Sequence, residues 1–87
     1  MKVYLFTAEQ TYNGEVLDLI SMIFHTIEEA QKCLRWFKKD VDEVVREGNW
    51  NVEIDELNLF RACGLDYTTD HCEFMITEKE ILINFKI

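Results

Sequence analysis

Hydrophobic residues recur at the helical period of about 3.6 residues in the middle of the chain. They form one apolar stripe, made of Ala30, Cys33, Leu34, Phe37, Val41, Val44 and Val45. Thr26 and Glu29 stand before the stripe in a capping-box pattern, and Gly48 follows it as a suitable C′ residue. The pattern predicts one long helix that begins at Thr26 and ends at Gly48.

Outside this helix the apolar residues alternate with polar ones, which is typical of strands. Strands are predicted at residues 2–10, 16–25, 50–60, 72–76 and 81–87, with a loop at 61–71 and a connection at 77–80. The segment 16–25 also fits a helix, but the capping box directly after it favours a strand. Asn13-Gly14 predicts a hairpin turn, and a slip in the alternation at Asp55-Glu56 predicts a β-bulge.

These elements predict an α+β fold in the order β-β-α-β-β-β, within a single domain spanning residues 1–87. About five antiparallel strands form the sheet, and the helix packs on one face. One helix does not cover both faces, so either the sheet curls strongly or an apolar patch remains for a partner or a second copy. The residues expected on the uncovered face are Tyr4, Phe6, Ile20, Met22 and Phe24; of these, Tyr4, Phe6 and Met22 are interaction candidates.

Trp36 is a further interaction candidate. It lies about 120° from the centre of the helix's apolar stripe, as calculated at about 100° per residue. A tryptophan at this angle either covers the margin of the core or anchors a partner, since tryptophan is enriched at binding hot spots.

The net charge is −8, which opposes general nucleic-acid binding. Residues 40–80 hold twelve acidic and three basic side chains, whereas residues 1–39 are neutral overall. Glu53 and Asp55 are expected on one outward strand face about 6.6–6.8 Å apart, close to twice the spacing of about 3.4 Å between phosphates of a DNA strand. The acidic half is therefore either a solvated surface or one that docks on a basic partner.

Cys63, His71 and Cys72 are the nearest approach to a metal or nucleophile site. Their spacing matches no standard zinc motif, and Cys63 with His71 is the only arrangement that could form a thiol–imidazole pair. We expect reduced thiols because the cysteine count is odd. No leader peptide is evident, so a cytoplasmic location is expected. No apolar run is long enough to span a membrane, so no membrane partner is expected. No cofactor is expected either.

The chain also resembles a loose group of small bacterial and phage α+β domains that are functionally uncharacterised. The resemblance covers residues 3–59 and is carried by Tyr4-Leu5-Phe6 and by the helix entry Ile23-Phe24-His25-Thr26-Ile27-Glu28-Glu29-Ala30. It implies the fold alone, since no catalytic residues are assigned in that group.

The sequence therefore favours a non-enzymatic domain that acts by protein–protein contact, with a second copy of itself as one candidate partner. The alternative is an acidic inhibitor or nucleic-acid mimic, of the kind phages use, that docks on a basic protein. A metal- or thiol-dependent enzyme is the least favoured hypothesis.

Overall fold

Within the described residues, a computed structural model of the chain contains five strands and one helix, with two strands before the helix and three after it. The structure describes residues 1–48, 50–64 and 70–81, and only the backbone of Leu17, Asp18 and Val44. The elements are β1 (Lys2–Tyr12), β2 (Glu15–Phe24), α1 (Ile27–Arg46), β3 (Trp50–Asp55), β4 (Leu59–Gly64) and β5 (His71–Glu80). All paired strands are antiparallel, and the sheet order is β2-β1-β5-β4-β3. The predicted α+β fold class is confirmed.

Both ends of α1 lie where the sequence places them. The Thr26 hydroxyl accepts a hydrogen bond from the Glu29 backbone N–H at 3.2 Å and donates one to the Glu29 carboxylate at 3.0 Å. Glu47 is the C-cap, and Gly48 follows with a φ of 80°. A residue without a Cβ adopts this left-handed conformation at little cost, so the helix ends there.

The β1–β2 hairpin also follows from local sequence. Asn13 and Gly14 have φ angles of 52° and 79°, as both central residues of a type I′ turn require. A register shift between Gln10 and Thr11 interrupts the ladder near this turn.

The core lies between α1 and the sheet and is centred on phenylalanine rings. Phe6, Phe60 and Phe74 come from three neighbouring strands and are fully buried. Phe37 on α1 lies above them, with ring centroids 5.2 Å from Phe6 and 5.7 Å from Phe74. Aromatic pairs at these separations contribute packing energy beyond that of area burial alone.

This core overturns the prediction of which sheet face is uncovered. Phe6 faces α1, and its register partner Met22 lies on the same face. Tyr4, Ile20 and Phe24 also pack against the core below the helix. Alternation separates the two faces of a strand correctly, but it does not say which face the helix covers, and here the face with the larger aromatic residues is the covered one.

The predicted strand 50–60 is in fact two strands joined by a turn. The Glu56 backbone N–H donates to the Leu59 carbonyl at 2.9 Å and closes the turn between β3 and β4. The sequence predicts most of β4 as part of the loop 61–71, because its buried positions include Ala62 and Gly64, which give little hydrophobic signal. The register shift in β3 lies between Val52 and Ile54, earlier than the predicted bulge at Asp55-Glu56.

β5 continues through the predicted connection 77–80. The polar residues there belong to an exposed strand end, where cross-strand ion pairs replace apolar contacts. The Glu80 carboxylate lies 3.0 Å from the N-terminal amine, and the Glu78 carboxylate lies 4.0 Å from the Lys2 amine. The predicted strand 81–87 lies outside the described residues apart from Ile81.

Candidate interaction surface

An apolar groove runs between β2 and α1. We call it the β2–α1 groove; its apolar lining consists of Met22 and Phe24 from β2 and Cys33 and Trp36 from α1, with Glu29 and Lys32 also lining it. Met22 and Phe24 face α1 because they pair with Phe6 and Tyr4. The groove exists because β2 is the last strand of the sheet on this side and α1 covers it only in part.

Trp36 is the most prominent side chain of the groove. Its side chain is 65% exposed, and its ring meets Phe37 in a T-shaped contact with centroids 5.2 Å apart. The indole is therefore supported from one side by the core and open to solvent on the other. A large aromatic side chain held in this way loses little conformational entropy when it binds a partner.

The strand beside the groove, β2, lies at an edge of the sheet that the described residues form. Within the described part of the chain, β2 pairs only with β1. Its outer edge therefore offers backbone N–H and C=O groups to an additional strand. The ten residues of β2 include no lysine or proline, the residues that most commonly protect such edges, although Glu15 and Asp18 are charged.

Three cations surround the exposed face of Trp36. Lys32, Arg35 and Lys39 line a shallow depression together with the indole. Their spacing places them on one side of the helix. Sequence reasoning missed this set because the acidic excess of residues 40–80 dominated the charge pattern. A signal was present, since residues 30–39 contain four cations and no carboxylate.

The other apolar interaction candidates differ from Trp36 in their surroundings. Phe6 has no exposed surface, so the prediction that it lies on an open face is wrong. Tyr4 is half-buried, and its hydroxyl donates to the Glu78 carboxylate at 3.4 Å. Met22, at 41% exposure, is the member of this predicted set that reaches solvent at the groove.

Glu53 and Asp55 do not share one face, contrary to the sequence prediction. Asp55 pairs with Phe60 in the ladder, and its carboxylate contacts the Lys38 amine on the helix side at 2.7 Å. Glu53 contacts Cys63 on the other face of the sheet. The register shift between Val52 and Ile54 separates the two carboxylates, because one extra residue inverts the alternation.

The structure brings two of the three predicted metal candidates together. Cys63 and His71 are register partners on β4 and β5, whereas Cys72 lies on the other face, fully buried in the core. His71 Nε2 lies 3.9 Å from a Glu9 carboxylate oxygen. Among the residues whose positions are described, no three histidine, cysteine or carboxylate side chains are grouped in a way that could hold a metal ion.

The thiols are held in their protonated form. A hydrogen bond with Glu53, together with burial, raises the pKa of Cys63. Burial raises the pKa of Cys72 to about 12 and also raises that of Cys33. A nucleophilic cysteine needs a lowered pKa, because the thiolate is the reactive form. Cys63 and His71 are therefore neighbours without the environment that would activate the thiol.

No helix in the described residues is both long and apolar enough to span a membrane. Comparison of the chain with protein-family models, curated proteins and solved structures finds no match.

Proposed function

We propose that the chain is a non-enzymatic protein-interaction domain that binds its partner at the β2–α1 groove. The observation that carries this proposal is the exposed Trp36 beside Met22, next to the edge of β2 that no other strand of the described residues covers. An aromatic anchor, an apolar groove and unpaired strand-edge groups provide the main components by which protein domains bind extended segments.

Two features of the groove support this role over a purely structural one. Trp36 exposes most of its surface although Phe37, its neighbour, packs into the core. Met22 is exposed on the helix-facing side of β2, where Phe6 in the next strand is completely covered. The covering layer thus ends short of the edge strand, and a partner that fills the groove would bury apolar surface that now contacts water.

A peptide-display selection tests the proposal. Random peptides are selected on the wild-type domain, and binders of the Trp36→Ser variant are removed by counter-selection. We expect enrichment of peptides whose binding requires Trp36, because the indole supplies the anchor. The far-UV circular dichroism and thermal unfolding of the variant should match the wild type, since the altered side chain is largely exposed.

Leu57→Ser is the matched control, because Leu57 is an exposed apolar side chain in the turn between β3 and β4, away from the groove. The selected peptides should bind this variant as they bind the wild type. If no peptide distinguishes the wild type from Trp36→Ser, the groove is not a peptide-binding site and the proposal fails.

A second copy of the chain is a further candidate partner, favoured by the opposite face of the same strand. Leu19 and Ile23 are 79% and 62% exposed there. Pairing of two β2 edges would join the sheets of two copies, with their helices on the same side. Sedimentation velocity over a concentration series tests this candidate: self-association that Ile23→Lys abolishes supports it, and a monomer at every concentration contradicts it.

The acidic-mimic hypothesis has weaker support. Its carboxylates need to gather on one surface, but Glu53 and Asp55 face opposite ways. Others make contacts within the chain, as Glu73 does with Arg61. We therefore favour binding at the groove over docking through the acidic half.

A further inference from the structure

The middle of α1 is cationic, although the chain as a whole is strongly acidic. Residues 30–39 carry Lys32, Arg35, Lys38 and Lys39 and no carboxylate, in a chain of net charge −8. Lys38 already has a partner, since its amine lies 2.7 Å from the Asp55 carboxylate. The ion pairs found among the described residues include none of the other three cations.

These three cations are next to the groove. Lys32 and Trp36 line both the groove and the neighbouring depression that also contains Arg35 and Lys39, so the two surfaces are continuous. Glu29 is the carboxylate that lines the groove, and the Thr26 hydroxyl holds it at the start of the helix with a 3.0 Å hydrogen bond. Lys32 is therefore the cation of the groove itself, Lys39 lies in the neighbouring depression, and Arg35 also lines a separate depression that contains the Asp55 and Glu56 carboxylates.

We propose that the groove binds an extended acidic peptide segment that adds as a strand to the outer edge of β2. This inference rests on the proposed function and names its partner class. Side chains of an added strand alternate between the two faces of the sheet. Those on the helix side meet Met22, Phe24 and Trp36 and, beside them, the Lys32 amine, so they combine apolar groups with carboxylates.

The open edge of β2 favours a peptide over a nucleic acid. A peptide strand satisfies the backbone groups of β2 with a regular ladder, whereas a phosphodiester backbone has no N–H groups to donate. The overall charge of −8 also opposes a long polyanion, while three local cations suffice for a short acidic segment. The face of the added strand away from α1 would lie beside Leu19 and Ile23, which favours apolar residues there.

Fluorescence anisotropy with defined peptides tests the inference. The probe is a short fluorescein-labelled peptide that alternates glutamate with leucine or phenylalanine. Competitors are the same peptide with lysine in place of glutamate, the same peptide with a central proline, and a single-stranded oligothymidylate. We expect the acidic peptide to bind and the three competitors to displace it poorly, because they lack the carboxylates, the continuous ladder or the peptide backbone.

Variants locate the binding site. Lys32→Glu should weaken binding of the acidic peptide by about five- to tenfold, because Lys32 lines the groove, and Trp36→Ala by about tenfold or more. Lys79→Glu makes the same change of charge at an exposed cation on β5 and should leave the affinity nearly unchanged. Raised salt should weaken binding by the wild type and by Trp36→Ala, which keeps the cations, and should weaken binding by Lys32→Glu less, since that variant has already lost an attractive charge.

Three outcomes would overturn the inference: equal effects of Lys32→Glu and Lys79→Glu, equal binding of the lysine peptide, or displacement by the oligothymidylate at lower concentration than by the acidic peptide. Undiminished binding of the proline peptide would contradict strand addition. If the lysine peptide binds in a manner that requires Trp36, the acidic partner is wrong while the interaction function stands. If the display selection also yields nothing, both fail.

Discussion

At the scale of single residues, the start of α1 depends on one hydroxyl group. Thr26 satisfies the Glu29 backbone N–H and also binds the Glu29 carboxylate. Both residues were identified from the capping-box pattern alone. This contact is local in sequence and depends little on the rest of the fold, which is why sequence reasoning identified it.

Thr26→Ala should lower the free energy of unfolding by about 1 kcal/mol, because it leaves helix N–H groups without their capping acceptor. Urea unfolding followed by circular dichroism measures the change. Thr26→Ser is the control, since it keeps the hydroxyl and should recover most of the loss. A stability of the alanine variant equal to the wild type would show that the cap contributes nothing.

Burial of Cys72 in the core makes the free energy of unfolding depend on pH in the alkaline range. Its pKa is raised from the ordinary value of 9.0 to about 12, chiefly by burial. Between these two values the unfolded chain loses the thiol proton while the folded chain retains it. The folded state therefore loses stability as the pH rises, and this contribution is fully present below pH 9.

We expect the free energy of unfolding of the wild type to fall more steeply between pH 9 and pH 12 than that of Cys72→Ala. The difference in slope should approach about 1.4 kcal/mol per pH unit. Cys33 and Cys63 are present in both proteins, so their contributions cancel. Parallel pH profiles would contradict the assignment.

At the scale of the elements, Gly64 connects β4 to the β1–β2 turn. A Cβ at this position would lie 2.7 Å from the Asp70 Cβ. The Gly64 N–H donates to the Asp70 carbonyl at 2.9 Å, and the Asp70 carboxylate accepts a hydrogen bond from the Asn13 N–H at 2.8 Å. The missing side chain thus allows Asp70 to lie close enough to hold the turn at Asn13.

Gly64→Ala should destabilise the fold by about 1–3 kcal/mol, because Asp70 must move to admit the methyl group. Chemical denaturation measures the loss, and a double-mutant cycle with Asp70→Gly identifies its source. In the Asp70→Gly background, where the opposing Cβ is absent, the same alanine substitution should cost less. An equal cost in both backgrounds would place the strain elsewhere.

The helix and the first hairpin could be predicted from the sequence, whereas β4 could not. α1 has a continuous apolar stripe with signals at both ends, and Asn13-Gly14 marks a turn by its conformational preference alone. β4 lacks such signals, because its buried residues Ala62 and Gly64 are small. They are buried by long-range pairing with β3 and β5, which no local pattern reports.

At the scale of the whole molecule, the position of the candidate site depends on which face of the sheet α1 covers. The alternation in β1 and β2 identifies two faces, and the prediction of which face the helix covers is wrong, since Phe6 faces α1. Trp36 was identified correctly as lying outside the apolar stripe, since its angle depends on helix geometry alone. Its neighbour Met22 could be placed beside it only once the sheet order made β2 an edge.

The net charge of −8 should make the stability of the whole domain depend on salt. Repulsion between like charges opposes the compact state. Salt reduces this repulsion, because the Debye screening length falls from about 30 Å at 0.01 M to about 3 Å at 1 M ionic strength. We therefore expect the thermal midpoint to rise with sodium chloride. The variant Glu43→Lys/Glu56→Lys, which halves the net charge, should show a smaller rise.

The relevant comparison is the change with salt rather than the midpoint itself, since either lysine can alter local contacts. If the doubly substituted variant responds to sodium chloride as strongly as the wild type, general charge repulsion does not limit stability.

The additional residue in β3 also constrains how this chain can change in length. Loss of the single residue between Val52 and Ile54 would leave a regular strand in which Val52 and Asp55 still lie on the helix-facing side, opposite Ala62 and Phe60. The Lys38 amine, 5.3 Å from the centre of the Phe60 ring, would then keep both its aromatic neighbour and its counter-ion. A one-residue deletion should therefore be tolerated at this position of β3, which is a length rule that homologous chains would be expected to obey.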